Sequence, residues 1–373
     1  MNPTKKERNC RIVRTSESGL EIASLVHPTH VEHYITAVPR AGRSLDEQQR
    51  AVRQFVTEQA ADLFAMTVFA TPGESGERIH ETDEMSCPIT WLEAADESTS
   101  GVQALAVTDS MLRAVVYKDS LIGGAYEAGG VRYCRLGGAL RDPVEWPRDA
   151  QTRAAFDLWA EGLLIAGMTY QRVVRTWFHN EDILAWYDEF NRVRDECFTE
   201  RGVFQGVTPA STGVGVLNPF GAALSGELLA IDGEGVVVRA VPSPLQCAAL
   251  DYGSSFNRAI EVATPGFRRL MISGTAGIDA DGETMHVGDV GMQIARTMEV
   301  VEAILDSRDM GWADATRAIA YFKHAADIPV FQAYCEKHAL PPLPALLVRA
   351  DICRADLLFE LELDATVAPR SRT

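Results

Sequence analysis

The spacing of apolar and polar positions divides this chain into segments that recur. Residues 131–139 and 267–276 each read as a strand running into a glycine turn, with Gly137-Gly138 in one and Gly274 in the other. A long amphipathic helix is predicted after each, over 150–165 and 290–305, from apolar residues at helical spacing. Each helix ends near a glycine, Gly167 or Gly311. Strands over 172–178 and 316–322 follow, then a short acidic loop and second helices over 183–199 and 328–338. A Pro-Ala step comes next in each copy (Pro209-Ala210; Pro344-Ala345), and each closes on a strand carrying an acid, Glu227 or Glu360. The order β-β-α-β-α-β predicts one sheet with two helices on one face.

The closing strand of the second copy alternates. Leu358, Glu360 and Glu362 face one way, and Phe359, Leu361 and Leu363 the other. Two carboxylates on one face of so apolar a strand are either solvated or used. The connector between copies runs over 232–250 and is stiffest at Pro242-Ser243-Pro244. Ahead of both copies, 44–63 reads as a helix with Ser44 as N-cap and Glu47 three residues on. A strand over 65–70 follows it, and 71–100 reads as loop. This N-terminal part is either a third, degraded copy of the helix–strand unit or an appendage. The expected division is 1–105, 106–235 and 236–373.

At 373 residues the chain is long enough for two or three domains. Its formal charge of −17 argues against a nucleic-acid partner, because such a surface repels phosphate backbones. No apolar run is long enough to span a bilayer. The N-terminal charges have no apolar run behind them, so no signal peptide is expected. Seven cysteines stand singly with no C-x-x-C pair, which fits reduced thiols in a cytoplasm. No dinucleotide or P-loop glycine motif is present. His27, His30 and His33 are three apart, but Pro28 spoils a helical metal face, and no metal is expected. Trp177, Trp186, Tyr187 and Phe190 read as core or as an interface between copies.

The C-terminal copy, about 250–364, resembles the YjgF/Rid superfamily along its whole length. The signs are Tyr252-Gly253-Ser254-Ser255-Phe256-Asn257-Arg258-Ala259, then Ile272-Ser273-Gly274-Thr275, the two helices, and Phe359-Glu360-Leu361-Glu362. Within it, the chain most resembles the chorismatases. The Phe256 to Ala259 step, the Ser273 to Ala276 turn, the Ala350 to Arg354 run and the Glu360 to Glu362 strand carry that likeness. The first copy resembles their N-terminal half through Val174-Arg175-Thr176-Trp177 and Pro209 to Gly215. The resemblance implies an α+β fold of two tandem Rid-like domains with an N-terminal extension. Rid folds commonly form trimers around inter-subunit pockets, so a homotrimer or other homo-oligomer is implied. Single-domain Rid deaminases hold a substrate carboxylate with an arginine just after the Pro-Ala step. Here that position is Leu346, which counts against imine hydrolysis.

The activity implied is cleavage of the enolpyruvyl ether of chorismate, or a close ring-acid analogue, without metal or cofactor. The products are pyruvate and either a dihydroxycyclohexadiene carboxylate or a hydroxybenzoate. Protonating the methylene carbon needs a carboxylic acid that keeps its proton near neutral pH. Apolar flanks and a second carboxylate supply that context at Glu360, with Glu362 beside it. By resemblance Glu360 falls on the family's catalytic glutamate. Arg258 and Arg175 are the expected partners of the substrate carboxylates; Arg175 interrupts an apolar strand and pairs in the repeat with about Ile319. Thr212 and Gly213 offer backbone N–H groups or are only a turn. Cys353 is expected to line the pocket as a thiol, Arg354 to orient a glutamate or be solvated, and Tyr252 to reach the ring or pack in the core. The rivals are a Rid-type deaminase and a non-catalytic small-molecule-binding protein.

Overall fold

The computed structural model describes residues 10–37, 44–72, 87–137 and 144–368. The first of its three six-stranded sheets is built from β1 (Arg11–Glu17), β2 (Leu20–Val26), β3 (Val31–Ala37), β4 (Asp62–Ala70), β5 (Ile89–Glu93) and β6 (Gly101–Thr108). Helix α1 (Leu45–Glu58) links β3 to β4. The second has β7 (Arg113–Tyr117), β8 (Ser120–Ala128), β9 (Val131–Leu136), β10 (Val173–Asn180), β11 (Ala210–Val214) and β12 (Leu224–Gly233), with α2 (Arg148–Ile165) and α3 (Ile183–Glu200). The third has β13 (Val237–Val241), β14 (Ala259–Ala263), β15 (Arg268–Ala276), β16 (Ala315–Phe322), β17 (Ala345–Arg349) and β18 (Phe359–Val367), with α4 (Val290–Asp306) and α5 (Ile328–Lys337).

All three sheets share one strand order. The first runs β1-β2-β3-β6-β4-β5, the second β7-β8-β9-β12-β10-β11 and the third β13-β14-β15-β18-β16-β17. The α+β class is as expected, but each sheet is larger than the β-β-α-β-α-β reading. A strand precedes each expected first pair, and a Gly- or Asp-rich turn hid it. The loop expected over 71–100 contains β5, a five-residue strand; 73–86 of it lie outside the described residues. The helix expected over 44–63 stops at Glu58, where Ala60 turns left-handed (φ 48°), and 62–63 already belong to β4. Its start is as read: Glu47 N–H donates to Ser44 Oγ (3.3 Å) and Ser44 N–H to Glu47 Oε2 (2.9 Å).

Each sheet packs its helices on one face, around Val52 and Val68 in the first unit, Phe156 and Phe178 in the second, and Ile304 and Phe322 in the third. The opposite faces meet one another. Phe64 and Leu105, Tyr133 and Trp177, and Ile260 and Met271 come from the three sheets into one shared cluster. Three units thus close a ring within one chain, each touching the other two. Polar side chains on those inner faces are therefore buried at junctions and must find partners there.

Pairing registers align the units residue by residue. Gln103 pairs with Thr67, Glu227 with Trp177 and Glu362 with Ile319, so these three occupy one repeated position. Glu227 therefore matches Glu362, and the matches of Glu360 are Ser225 and Gly101. Each of β4, β10 and β16 carries a register shift at the same point, before Ala65, Arg175 and Arg317. Arg175 accordingly matches Arg317, and not Ile319 as the sequence repeat suggested.

Candidate active site

A cavity of about 890 Å³ opens at the junction of the second and third units. Its floor is Glu360, Gly274, Ala276, Arg258 and Cys353; its far wall is α3 of the second unit, through Tyr187, Asn191, Asp195 and Thr199. Helix α3 is kinked at Trp186 (φ −148°), whose indole N–H donates to the Glu181 carbonyl.

Glu360 has the environment of a carboxyl that keeps its proton. It is 4% exposed, and no hydrogen bond to its carboxyl occurs among the described residues. Burial and then the neighbouring Glu362 charge push it up to about 8, against the opposing pull of Arg175 and Arg258. Its cross-strand neighbour is Tyr321, fully buried in the apolar cluster of Leu346, Val348 and Ile352.

Glu362, two residues on, is the opposite case. Trp177 Nε1 donates to Oε1 (3.1 Å), Arg175 Nη2 donates to Oε2 (3.0 Å), and Arg317 Nη2 also reaches Oε1. Burial acts to raise this group, but Arg317 and Arg175 outweigh it and hold it at about 2. Two acids on one strand face are thus driven apart, one neutral and one ionised, by which of them has cationic partners.

A second bulge, in the pairing of β15 with β18, shapes this floor. Between Ile272 and Thr275 the pairing of β15 with β18 slips, so Ser273 and Gly274 lie opposite Glu362. A Cβ at Gly274 would stand 2.0 Å from Glu360 Oε1, so only glycine leaves the carboxyl room. Gly274 N–H donates to Thr212 Oγ1 (3.0 Å), which also accepts from Arg175 Nη2 (2.9 Å).

The structure brings Glu360, Arg258, Cys353 and Arg354 to the cavity wall. Arg258 Nε donates to the Cys247 carbonyl (3.0 Å), and its guanidinium lies over the Phe256 ring (5.6 Å). Arg354 Nη1 donates to the Gly282 carbonyl (2.5 Å). Burial, and then Glu360, push the Cys353 thiol up to about 12, so it is a protonated wall group. Arg175 does not reach the cavity. The bulge in β10 turns it onto the inner face, where Glu362 is the anion it meets. Thr212 binds through its hydroxyl and not through a backbone N–H offered to a ligand. Gly213 is also off the wall, with the Tyr187 ring 3.8 Å from where its Cβ would be. The Tyr252 side chain lies outside the described residues.

Leu346 faces Gly101 of the first unit, within 2.6 Å of its would-be Cβ. By register, the second unit's match of Leu346 is Thr212, and Ser211 follows its Pro-Ala step, so neither copy has an arginine there. Three functional groups escaped the sequence. These are Arg317, Gln103 and the polar face of α3. The signal was a stripe at 187, 191, 195 and 199, four apart on one side of a helix.

One further cluster has metal-ligand residue types. His27, His30 and Glu32 bring their ligand atoms within 4.8 Å of one another. Arg269 Nη2 already donates to Glu32 Oε1 at 2.5 Å, and the two imidazoles stack at 3.8 Å and 17°. Lone pairs of parallel stacked rings run side by side and do not converge, so the cluster is a buried ion-pair network. Trp177 lies against three guanidiniums, Arg135 (4.3 Å), Arg175 (5.0 Å) and Arg317 (5.2 Å). Trp186 and Phe190 pack in the second unit's core.

No family model matches the chain. A chorismatase of Streptomyces rapamycinicus is 28% identical over 228 residues, 53% of this chain and 65% of that protein, just under two thirds of its length. A 3-hydroxybenzoate synthase of Streptomyces hygroscopicus is 26% identical over 267 residues, 63% of this chain and 76% of that protein. A crystal structure of a chorismatase matches with a TM-score of 0.61 at 16% identity, over 90% of this chain and 98% of that one. At that identity the likeness is one of fold.

Proposed function

We propose that this chain, which is similar to chorismatases, cleaves the enolpyruvyl ether of chorismate or a close ring-acid analogue. The products are pyruvate and a dihydroxycyclohexadiene carboxylate or a hydroxybenzoate. One observation carries the reading: a buried carboxyl, protonated near neutral pH, faces a cavity also lined by three arginines, Arg192, Arg258 and Arg354. Glu360 gives its proton to the terminal methylene carbon, and the adjacent ether carbon becomes an oxocarbenium centre. Either water or the ring's own hydroxyl intercepts the activated species; in the hydrolytic case, water adds to that carbon, the ether C–O bond breaks, and pyruvate leaves. Glu362 stays ionised throughout and opposes loss of the proton from Glu360 until carbon takes it.

The substrate is a dianion, and the cavity offers Arg258 and Arg354 as charge-assisted donors for its carboxylates. Arg175 acts one layer behind, on Glu362. The wall thiol of Cys353 occupies space beside the acid without attacking. No helix among the described residues is long and apolar enough to cross a membrane. The ring of three units supports a site completed within one chain.

The test is pyruvate release from chorismate, followed by coupling to a lactate dehydrogenase. The wild-type protein is expected to turn over, and Glu360→Gln to lose on the order of 10²–10⁴-fold in kcat with its fold retained. Turnover undiminished in that variant, or none in the wild type, contradicts the proposal.

A further inference from the structure

Among the described residues the first unit contributes none to the cavity, yet one of its side chains is joined to the floor by a chain of buried hydrogen bonds. Gln103 stands at the position that Glu227 and Glu362 occupy in the other units, and it is buried. Its Oε1 accepts from Arg317 Nε (3.1 Å) and Nη2 (3.0 Å). Its Nε2 donates to the Ala318 carbonyl (2.8 Å) and to Thr36 Oγ1 (3.2 Å). Thr36 Oγ1 donates in turn to the Pro344 carbonyl (3.2 Å), so it presents a lone pair to the amide. Two donors and two acceptor directions are all used. The amide's orientation is fixed, and an isosteric carboxylate could not make the bonds to Ala318 and Thr36. The same Arg317 Nη2 that meets Gln103 also meets Glu362.

We infer that Gln103 is a positioning residue for the reacting acid: it fixes the Arg317 guanidinium against Glu362, and so places the fixed negative charge beneath Glu360. This rests on the pyruvate-releasing reading of the cavity and gives the first unit a part in it. The first unit is then more than a structural third of the ring. Its neutral residue at the repeated acid position adds no further anion to Arg317, which already meets Glu362 and Asp364 (3.3 Å).

Two substitutions test the link, with two readouts. Gln103→Met keeps the volume and removes the acceptor. It is expected to lower kcat about tenfold while KM stays within about twofold, because nothing that contacts substrate has changed. Gln103→Glu adds a negative charge to the Arg317–Glu362 chain. The protonated-carboxyl infrared band of Glu360, identified by its loss in Glu360→Gln, is expected to titrate about half a unit or more higher. That midpoint needs no turnover. If the wild type releases no pyruvate, the reading of the cavity fails, and the infrared midpoint still decides the link. Full kcat in Gln103→Met together with an unmoved midpoint in Gln103→Glu overturns the inference. Should Gln103→Glu not fold, the kcat-against-KM split of Gln103→Met decides alone.

Discussion

At the scale of single residues, the site depends on two glutamates of one strand having opposite charge states. Removing the charge on Glu362 should let Glu360 ionise more easily. Glu362→Gln is therefore expected to move the alkaline limb of the pH–rate profile downward from about 8, and a profile that stays put refutes the coupling. Glu362 also bears on stability. Its folded value, about 2, lies below the ordinary 4.5. The stability it contributes is full above the ordinary value and is lost as pH falls from there toward about 2. Acid unfolding of the wild type should show this loss and that of Glu362→Gln should not, as read by circular dichroism. Gly274→Ala should leave the fold and abolish most turnover, since its methyl would occupy the space of the Glu360 carboxyl. Arg258→Met is expected to raise KM about 10- to 100-fold, the cost of a charge-assisted hydrogen bond of roughly 1.5–3 kcal/mol. An unchanged KM would remove Arg258 from substrate binding. The glutamates, Arg258 and Cys353 were legible because alternation and a local motif mark them. Arg317 and Gln103 were not, since each is one polar residue in an apolar strand whose partners lie 45 and 214 residues away in sequence.

At the scale of elements, helices were read closely because their period is local: 150–165 against Arg148–Ile165, and 290–305 against Val290–Asp306. Strand partners depend on register, and here bulges decide it. A shift before Arg175 and another before Arg317 turn both arginines onto the inner face, where they meet at Glu362. No periodicity in a single strand reports a residue inserted relative to its neighbour, which explains the misaligned pair Arg175 and Ile319. The bulge at Ser273-Gly274 has no counterpart in the described pairing of β3 with β6, which runs regularly through Thr36 and Gln103. It coincides with the one unit that carries an acid at the Glu360 position. The wall opposite, α3, was read as a helix but not as a wall, because a polar stripe looks alike whether it faces solvent or a neighbouring unit.

At the scale of the whole molecule, the chain builds three like junctions and equips one. The junction of the first and second units has Glu227 held by Arg135 and Thr67, and that of the third and first has Gln103 held by Arg317. Among the described residues, the junction of the second and third carries the buried carboxyl of Glu360, with no ion pair, at a cavity. The ring form was beyond the sequence, because the first unit has lost the residues that made the other two recognisable while keeping their strand order. The central claim is that Glu360 holds a proton at neutral pH and delivers it to carbon. Its most direct measurement is kcat for pyruvate release from chorismate as a function of pH. A limb falling as pH rises through about 8, absent from the residual rate of Glu360→Gln because that variant has no carboxyl to ionise there, is the predicted result. A rate that keeps rising through pH 9, or a Glu360→Gln variant with the wild-type profile, contradicts it.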